Sequence, residues 1–214
     1  MKFLCAFLLA VCAISADTSI PTPKELMDRH IQETGGLAEL EKAQAQSLSG
    51  KLIIPAAGMT GKFQMYLGAH GEMYQIVEMP GAGQVEVGNN GDVEWENSTI
   101  TGPRVRRLAP KPGALLSPQP FSSTYWQSGF SKMQTAGTAD VHGRRCYKVT
   151  GELAWGSKVT QYFDAASGLL VQAEFAGPSS QSLVVGLQDY RPVGTIKAAH
   201  TIDDRYGADR QTRG

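Results

Sequence analysis

Disulfides, a charge field of one sign and a membrane-length apolar run are all missing from this sequence, and each absence removes a class of protein. The three cysteines are Cys5, Cys12 and Cys146. With two of them in the first sixteen residues, the rest of the chain has no internal disulfide scaffold. Lysine plus arginine equals aspartate plus glutamate at 20 each, so no global field draws in nucleic acid or an anionic membrane. No apolar stretch approaches the ~20 residues that span a bilayer as a helix. What is present, 42% hydrophobic residues in a chain of 214, suffices for one globular domain with a core or a walled cavity.

The first sixteen residues, "MKFLCAFLLAVCAISA", are a separate object. One lysine precedes an apolar run from Phe3 to Ile14, and small residues follow at Ala13, Ser15 and Ala16. This is the layout of a secretory signal peptide, with cleavage expected after Ser15 or Ala16. Residues 17–214 then form a single exported domain. Acylation at Cys12 is not expected, because bulky Val11 precedes it where a small residue is required. Cleavage leaves 19 basic against 20 acidic residues and one thiol, Cys146. In the strand-like "RRCYKVTGE" that thiol reads as a small buried hydrophobe.

"PTPKELMDRHIQETGGLAELEKAQ" is the strong helical stretch. Thr22 suits an N-cap, Pro23 the first turn, and Leu26, Met27, His30 and Ile31 repeat at helical spacing. The helix breaks at "TGG", and a second short one is expected over about Leu37 to Ala43. From Ser47 the period changes to two. "SGKLIIP", "TGKFQMYLGA", "EMYQIVEM", "GQVEVG" and "DVEWENS" read as short strands of an antiparallel meander, with Asn90-Gly91 as a hairpin turn. "GPRVRRLAPKPGALLSPQP" holds five prolines and reads as a loop. "FSSTYWQSGFSKM" reads as a short helix carrying Phe121, Tyr125, Trp126 and Phe130. Strands resume at "MQTAGTADV", "RRCYKVTGE", "SKVTQYFD", "GLLVQAEF", "QSLVVGLQDYR" and "TIKAAHTID". About ten meandering strands with helices at the front predict a mainly β, α+β fold. Its sheet curls toward an incomplete barrel, because curling hides edges.

Chemistry is hard to find. No nucleophile elbow, phosphate loop, C-x-x-C or H-E-x-x-H occurs. The four histidines, His30, His70, His142 and His200, are scattered, with His70 and His142 in turns. His200 and Asp203 in "HTIDD" point to opposite faces of a strand, so no metal site is expected. Arg104, Arg106, Arg107 and Lys111 form the sharpest charge cluster and read as a solvated loop. Met65, Met73 and Met79 offer pliable apolar surface on neighbouring strands. No enzyme activity and no cofactor is expected.

Taken together, "ETGG", "VEWENS", "GRRCYKVTGE", "YFDAASGLLVQAEF" and "LQDYRPVGTIKAAHTI" resemble exported bacterial proteins of the LolA/LolB-like superfamily. The likeness is greatest to relatives described as outer membrane lipoprotein-sorting proteins. It runs from Pro21 to Ile202, and its most specific piece is Tyr162–Leu170, followed by Asp189-Tyr190-Arg191 and Gly194. The resemblance implies an incomplete antiparallel barrel with helices and the central loop-helix insert as a lid over an apolar cavity. It also implies a periplasmic carrier of acyl groups, monomeric, without nucleic-acid partner or stable membrane insertion. The alternative is an envelope sensor or protein-interaction module with a filled interior. Alternation assigns Phe63, Met65, Trp95, Phe163, Val171 and Phe175 to the cavity wall, with Leu26 and Ile31 meeting it from the helix. The ending departs from the family pattern. After "HTIDD" one more strand is expected, whereas "RYGADRQTRG" is polar and stops, as in a truncated or frame-shifted chain.

Overall fold

A computed structural model describes residues 19–42, 45–54, 57–68, 72–90, 93–107, 126–153, 156–176 and 181–208. The leader reading, with Cys5 and Cys12, lies outside these residues, as do His70, Gly91, Lys111, Phe121 and Tyr125. So do most of the proline-rich insert and residues 209–214.

Two helices open the described chain, α1 (Pro23–Glu33) and α2 (Leu37–Lys42). Thr22 and Glu25 form a reciprocal capping box, and Pro23 occupies the first turn, so the donors at the helix start are satisfied locally. Thr34 ends α1, its hydroxyl donating to the carbonyls of His30 and Ile31. Gly35 and Gly36 then take positive φ angles that residues with a side chain rarely adopt.

The strands form two six-stranded antiparallel sheets, neither closed into a barrel. β1 (Ala45–Ile54), β2 (Met59–Gly68), β3 (Met73–Met79), β4 (Gly83–Asn89), β5 (Val93–Ser98) and β6 (Gly102–Arg107) make the first sheet in chain order. A one-turn helix, α3 (Trp126–Gly129), leads into the second sheet. That sheet contains β7 (Phe130–Val141), β8 (Arg144–Leu153), β9 (Lys158–Asp164), β10 (Leu170–Ala176), β11 (Gln181–Val193) and β12 (Ile196–Ala208). The meander, the two front helices and the mainly β class agree with the sequence reading.

Three boundaries differ, the first at Phe130, which is read from sequence as part of a short helix but begins β7. Residues 102–107 are a strand rather than the start of a loop, and β6 is an edge strand, where a missing N–H such as that of Pro103 is tolerated. At the other end β12 continues through Ala208, paired opposite Gln181, so the polar "RYGA" extends an edge strand.

The packed core belongs to the second sheet. Leu26 and Met27 of α1 seat on Val149, Phe163, Leu170 and Leu187, with Trp126, Met133, Tyr147, Tyr190 and Ala199 around them. Phe163 is completely enclosed, a burial worth about 2–3 kcal/mol. On the opposite face Val141, Cys146, Tyr162 and Val171 form a smaller cluster. Cys146 is fully buried there, and burial, with Asp164 beside it, pushes its thiol pKa up.

Polar contacts fix α1 at both ends. Arg29 donates to the carbonyls of Ala165 and Ala166 in the β9–β10 turn, at 3.1 and 2.6 Å. The Asp164 carboxylate closes that turn by accepting from the Ala166 and Ser167 amides. Gly168 takes φ 75°, and a Cβ there would strike the Arg29 side chain at 2.7 Å. The motif "YFDAASGL" is therefore a helix-docking turn. At the C-terminal end of α1 the Lys197 amide donates to the Thr34 carbonyl at 2.9 Å, and just ahead of its N-terminus Thr135 donates to the Pro21 carbonyl.

His30 lies under α1, 5% exposed. Its Nδ1 accepts from the Leu170 amide at 3.2 Å, and its ring meets Phe163 edge-on. Burial holds its pKa at about 4. The sequence places it at the helix's partly buried edge, whereas the structure makes it core.

Candidate functional site

Strand pairing decides which side chains share a face, because directly opposed residues point the same way. In the first sheet Phe63 pairs with Val77, Val77 with Val85, and Val85 with Ser98. Leu48 pairs with Met65, Leu67 with Met73, and Met79 with Gly83. One face of β1–β4 thus carries Leu48, Leu52, Phe63, Met65, Leu67, Met73, Val77, Met79, Val85 and Val87. Toward β5 and β6 the same face turns charged, through Glu94, Glu96 and Arg104, with Arg104 bonded to Glu96 at 2.9 Å.

None of these apolar side chains is fully buried; every one is partly exposed. Every fully buried hydrophobic side chain among the described residues lies in α1, α2 or the second sheet. The molecule therefore has one close-packed apolar face and one whose side chains still meet solvent.

The other face of the first sheet is built differently. Tyr66, Tyr74, Gly88 and Trp95 lie in one cross-strand row. A Cβ on Gly88 would lie 2.2 Å from the Trp95 ring, so the missing side chain lets Trp95 lie across β4. It reaches Tyr74, with ring centroids 5.7 Å apart, and Tyr74 stacks on Tyr66 at 6.1 Å. A surface pocket of about 540 Å³, lined by Lys51, Thr60, Lys62, Glu78, Gln84 and Thr99 among others, opens away from this row, toward the other end of the strands.

The eight residues proposed from alternation are consequently dispersed. Phe63 and Met65 share the half-exposed apolar face. Trp95 falls on the opposite face of the same sheet. Leu26 and Phe163 meet in the packed core, and Ile31 is buried on α1. Phe175, half-buried, pairs with Val159 on the α1 side of the second sheet. Val171 belongs to the smaller cluster on the reverse side. The reason is a bulge on β10: Leu170 opposes Phe163 while Gln172 opposes Tyr162, and the extra residue breaks strict alternation.

The sequence reading passed over Leu48, Leu67 and Val77 as members of this face. The hairpin spacing of β1–β4 was the signal that could have found them, since it fixes the register. Among the described residues no three His, Cys, Asp or Glu side chains converge as a metal site. No helix there is long and apolar enough to cross a membrane.

No family model matches the sequence, and no curated protein matches it. Solved structures do match the fold. A LolA superfamily protein from Nitrosomonas europaea superposes with a TM-score of 0.53, covering 89% of this chain and 88% of its own at 9% identity. A DUF1329 family protein from Desulfovibrio piger gives 0.47 at 13% identity, over 85% of each chain. The chain has a LolA-like fold.

Proposed function

We propose that the protein is an exported binder and carrier of lipid-like molecules, with the apolar face of β1–β4 as the surface that receives an acyl chain. One observation carries the reading: ten apolar side chains on a single sheet face remain partly exposed, while every fully buried hydrophobic strand residue among the described residues belongs to the second sheet. A monomer seldom leaves so large an apolar surface, here with Gln75 standing between Met65 and Val87, without a use for it. Hiding ten methylenes of a ligand is worth about 8 kcal/mol gross, reduced by the cost of ordering the chain. Such binding requires no catalytic group. The leader reading at residues 1–16 supports export to the envelope, and the LolA superfamily likeness supports a fold suited to such a task.

A hydrophobic fluorophore, titrated into the purified protein and displaced by a fatty acid, tests the reading. Binding is expected to saturate at one site. Met65→Asp should weaken it at least tenfold with the circular dichroism unchanged, because Met65 is only half-buried. Tyr66→Ala, on the opposite face, should leave binding as it was. Absent binding, or equal binding by Met65→Asp, overturns the carrier reading in favour of a sensor or interaction module.

A further inference from the structure

Two strand glutamines have side-chain partners two residues along: Gln84 donates to Glu86 and Gln172 to Glu174. Two others do not. The side-chain oxygens of Gln46 and Gln161 are buried from solvent and have no hydrogen-bond partner among the described residues. Both lie on apolar faces, where an unmet amide is costly.

Their surroundings differ. Gln161 is paired with Val149 and Ala173, and Val185 follows Ala173 in the same row. These neighbours are 1%, 2% and 4% exposed, so protein side chains close that row. Gln46 stands directly opposite Leu67, which is opposite Met73, at one end of the half-exposed apolar face. Gln46, Leu67 and Met73 are all only partly covered. A chain lying along that face ends beside an amide whose oxygen has no hydrogen-bond partner among the described residues.

Resting on the carrier reading, we propose that Gln46 is the specificity-determining polar contact of the ligand surface, and that the ligand class is an acyl chain joined through a secondary amide. A carboxamide side chain presents one acceptor and one donor group. A secondary amide on the ligand matches both, its N–H donating to Oε1 and its carbonyl accepting from Nε2. The match survives a half-turn of the terminal torsion, which merely exchanges the two groups. An ester offers only acceptors and leaves the glutamine oxygen unmet, a mismatch that a buried site penalises.

Two probes of equal chain length, N-methyldodecanamide and methyl dodecanoate, are to be compared by displacement of the bound fluorophore. The wild type is expected to bind the amide about tenfold more tightly, the effect of one neutral hydrogen bond. Gln46→Met, similar in volume and unable to pair, should bind both alike, with ester affinity unchanged. Gln161→Met serves as the control and should keep the preference. Equal affinities in the wild type, or a preference that persists in Gln46→Met, overturn the proposal while the carrier reading stands. Displacement by neither probe removes both.

Discussion

His30 is the residue whose burial has the clearest consequence in solution. Its neutral imidazole accepts the Leu170 amide beneath α1, and a proton there has no water to solvate it. Its pKa of about 4 in the folded chain lies below the ~6.5 of an unfolded one. Above pH 6.5 both states are neutral and the residue adds no pH dependence. As pH falls from 6.5 toward 4, the unfolded chain takes up a proton that the folded chain refuses. Stability therefore drops by ~1.4 kcal/mol per pH unit, about 3 kcal/mol across the window. Urea unfolding at pH 7 and pH 5 should show about 2 kcal/mol of this loss in the wild type. It should be absent in His30→Gln, which can still accept the Leu170 amide; equal slopes in the two proteins would contradict the assignment. The sequence supplied His30's place on an amphipathic helix but not its depth, because depth depends on β10 arriving 140 residues later in the chain. Trp95 makes the same point. Period two orders the residues within β5, yet only the register with Gly88 and Tyr74 reveals which side of the sheet it covers.

At the level of elements, the decisive feature is how α1 is seated. The turn "DAASG" closes on Asp164. Burial alone would raise the pKa of that carboxyl, but hydrogen bonds from the Ser167 and Ala166 amides together hold it below its ordinary value. The turn then presents two carbonyls to Arg29. Gly168→Ala combines a strained positive φ with a clash against Arg29 and should destabilise by more than 1 kcal/mol. Arg29→Ala removes two hydrogen bonds and should cost about 1–2 kcal/mol. Because both changes act on one docking contact, the double variant should lose less than the two single losses combined. Additive losses would show that the turn and the helix are independent. Helices, strands and most turns were legible in the sequence, since caps, glycine breaks and alternation are local signals. β6 was not, because Pro103 reads as a breaker until the strand is known to lie at an edge. Nor was Val171's face, because a single-residue bulge leaves no mark in composition.

For the whole molecule, the contrast between the two sheets matters most. The second sheet and α1 form a close-packed unit that supplies stability. The first sheet presents apolar side chains that the described protein leaves partly uncovered. Both sheets read alike in sequence, as alternating strands rich in valine, leucine and aromatics. What separates them is the amphipathic helix that covers one of them, a tertiary fact that no local pattern encodes. The candidate wall was for that reason only partly legible: Phe63 and Met65 stand on the open face, whereas Leu26 and Phe163 stand in the core. Native mass spectrometry of the protein purified from the envelope of an expression host tests this division most directly. The expected spectrum shows the polypeptide carrying one acyl-lipid equivalent, which organic extraction removes and added lipid restores. A bare polypeptide that takes up no lipid when lipid is supplied would contradict it.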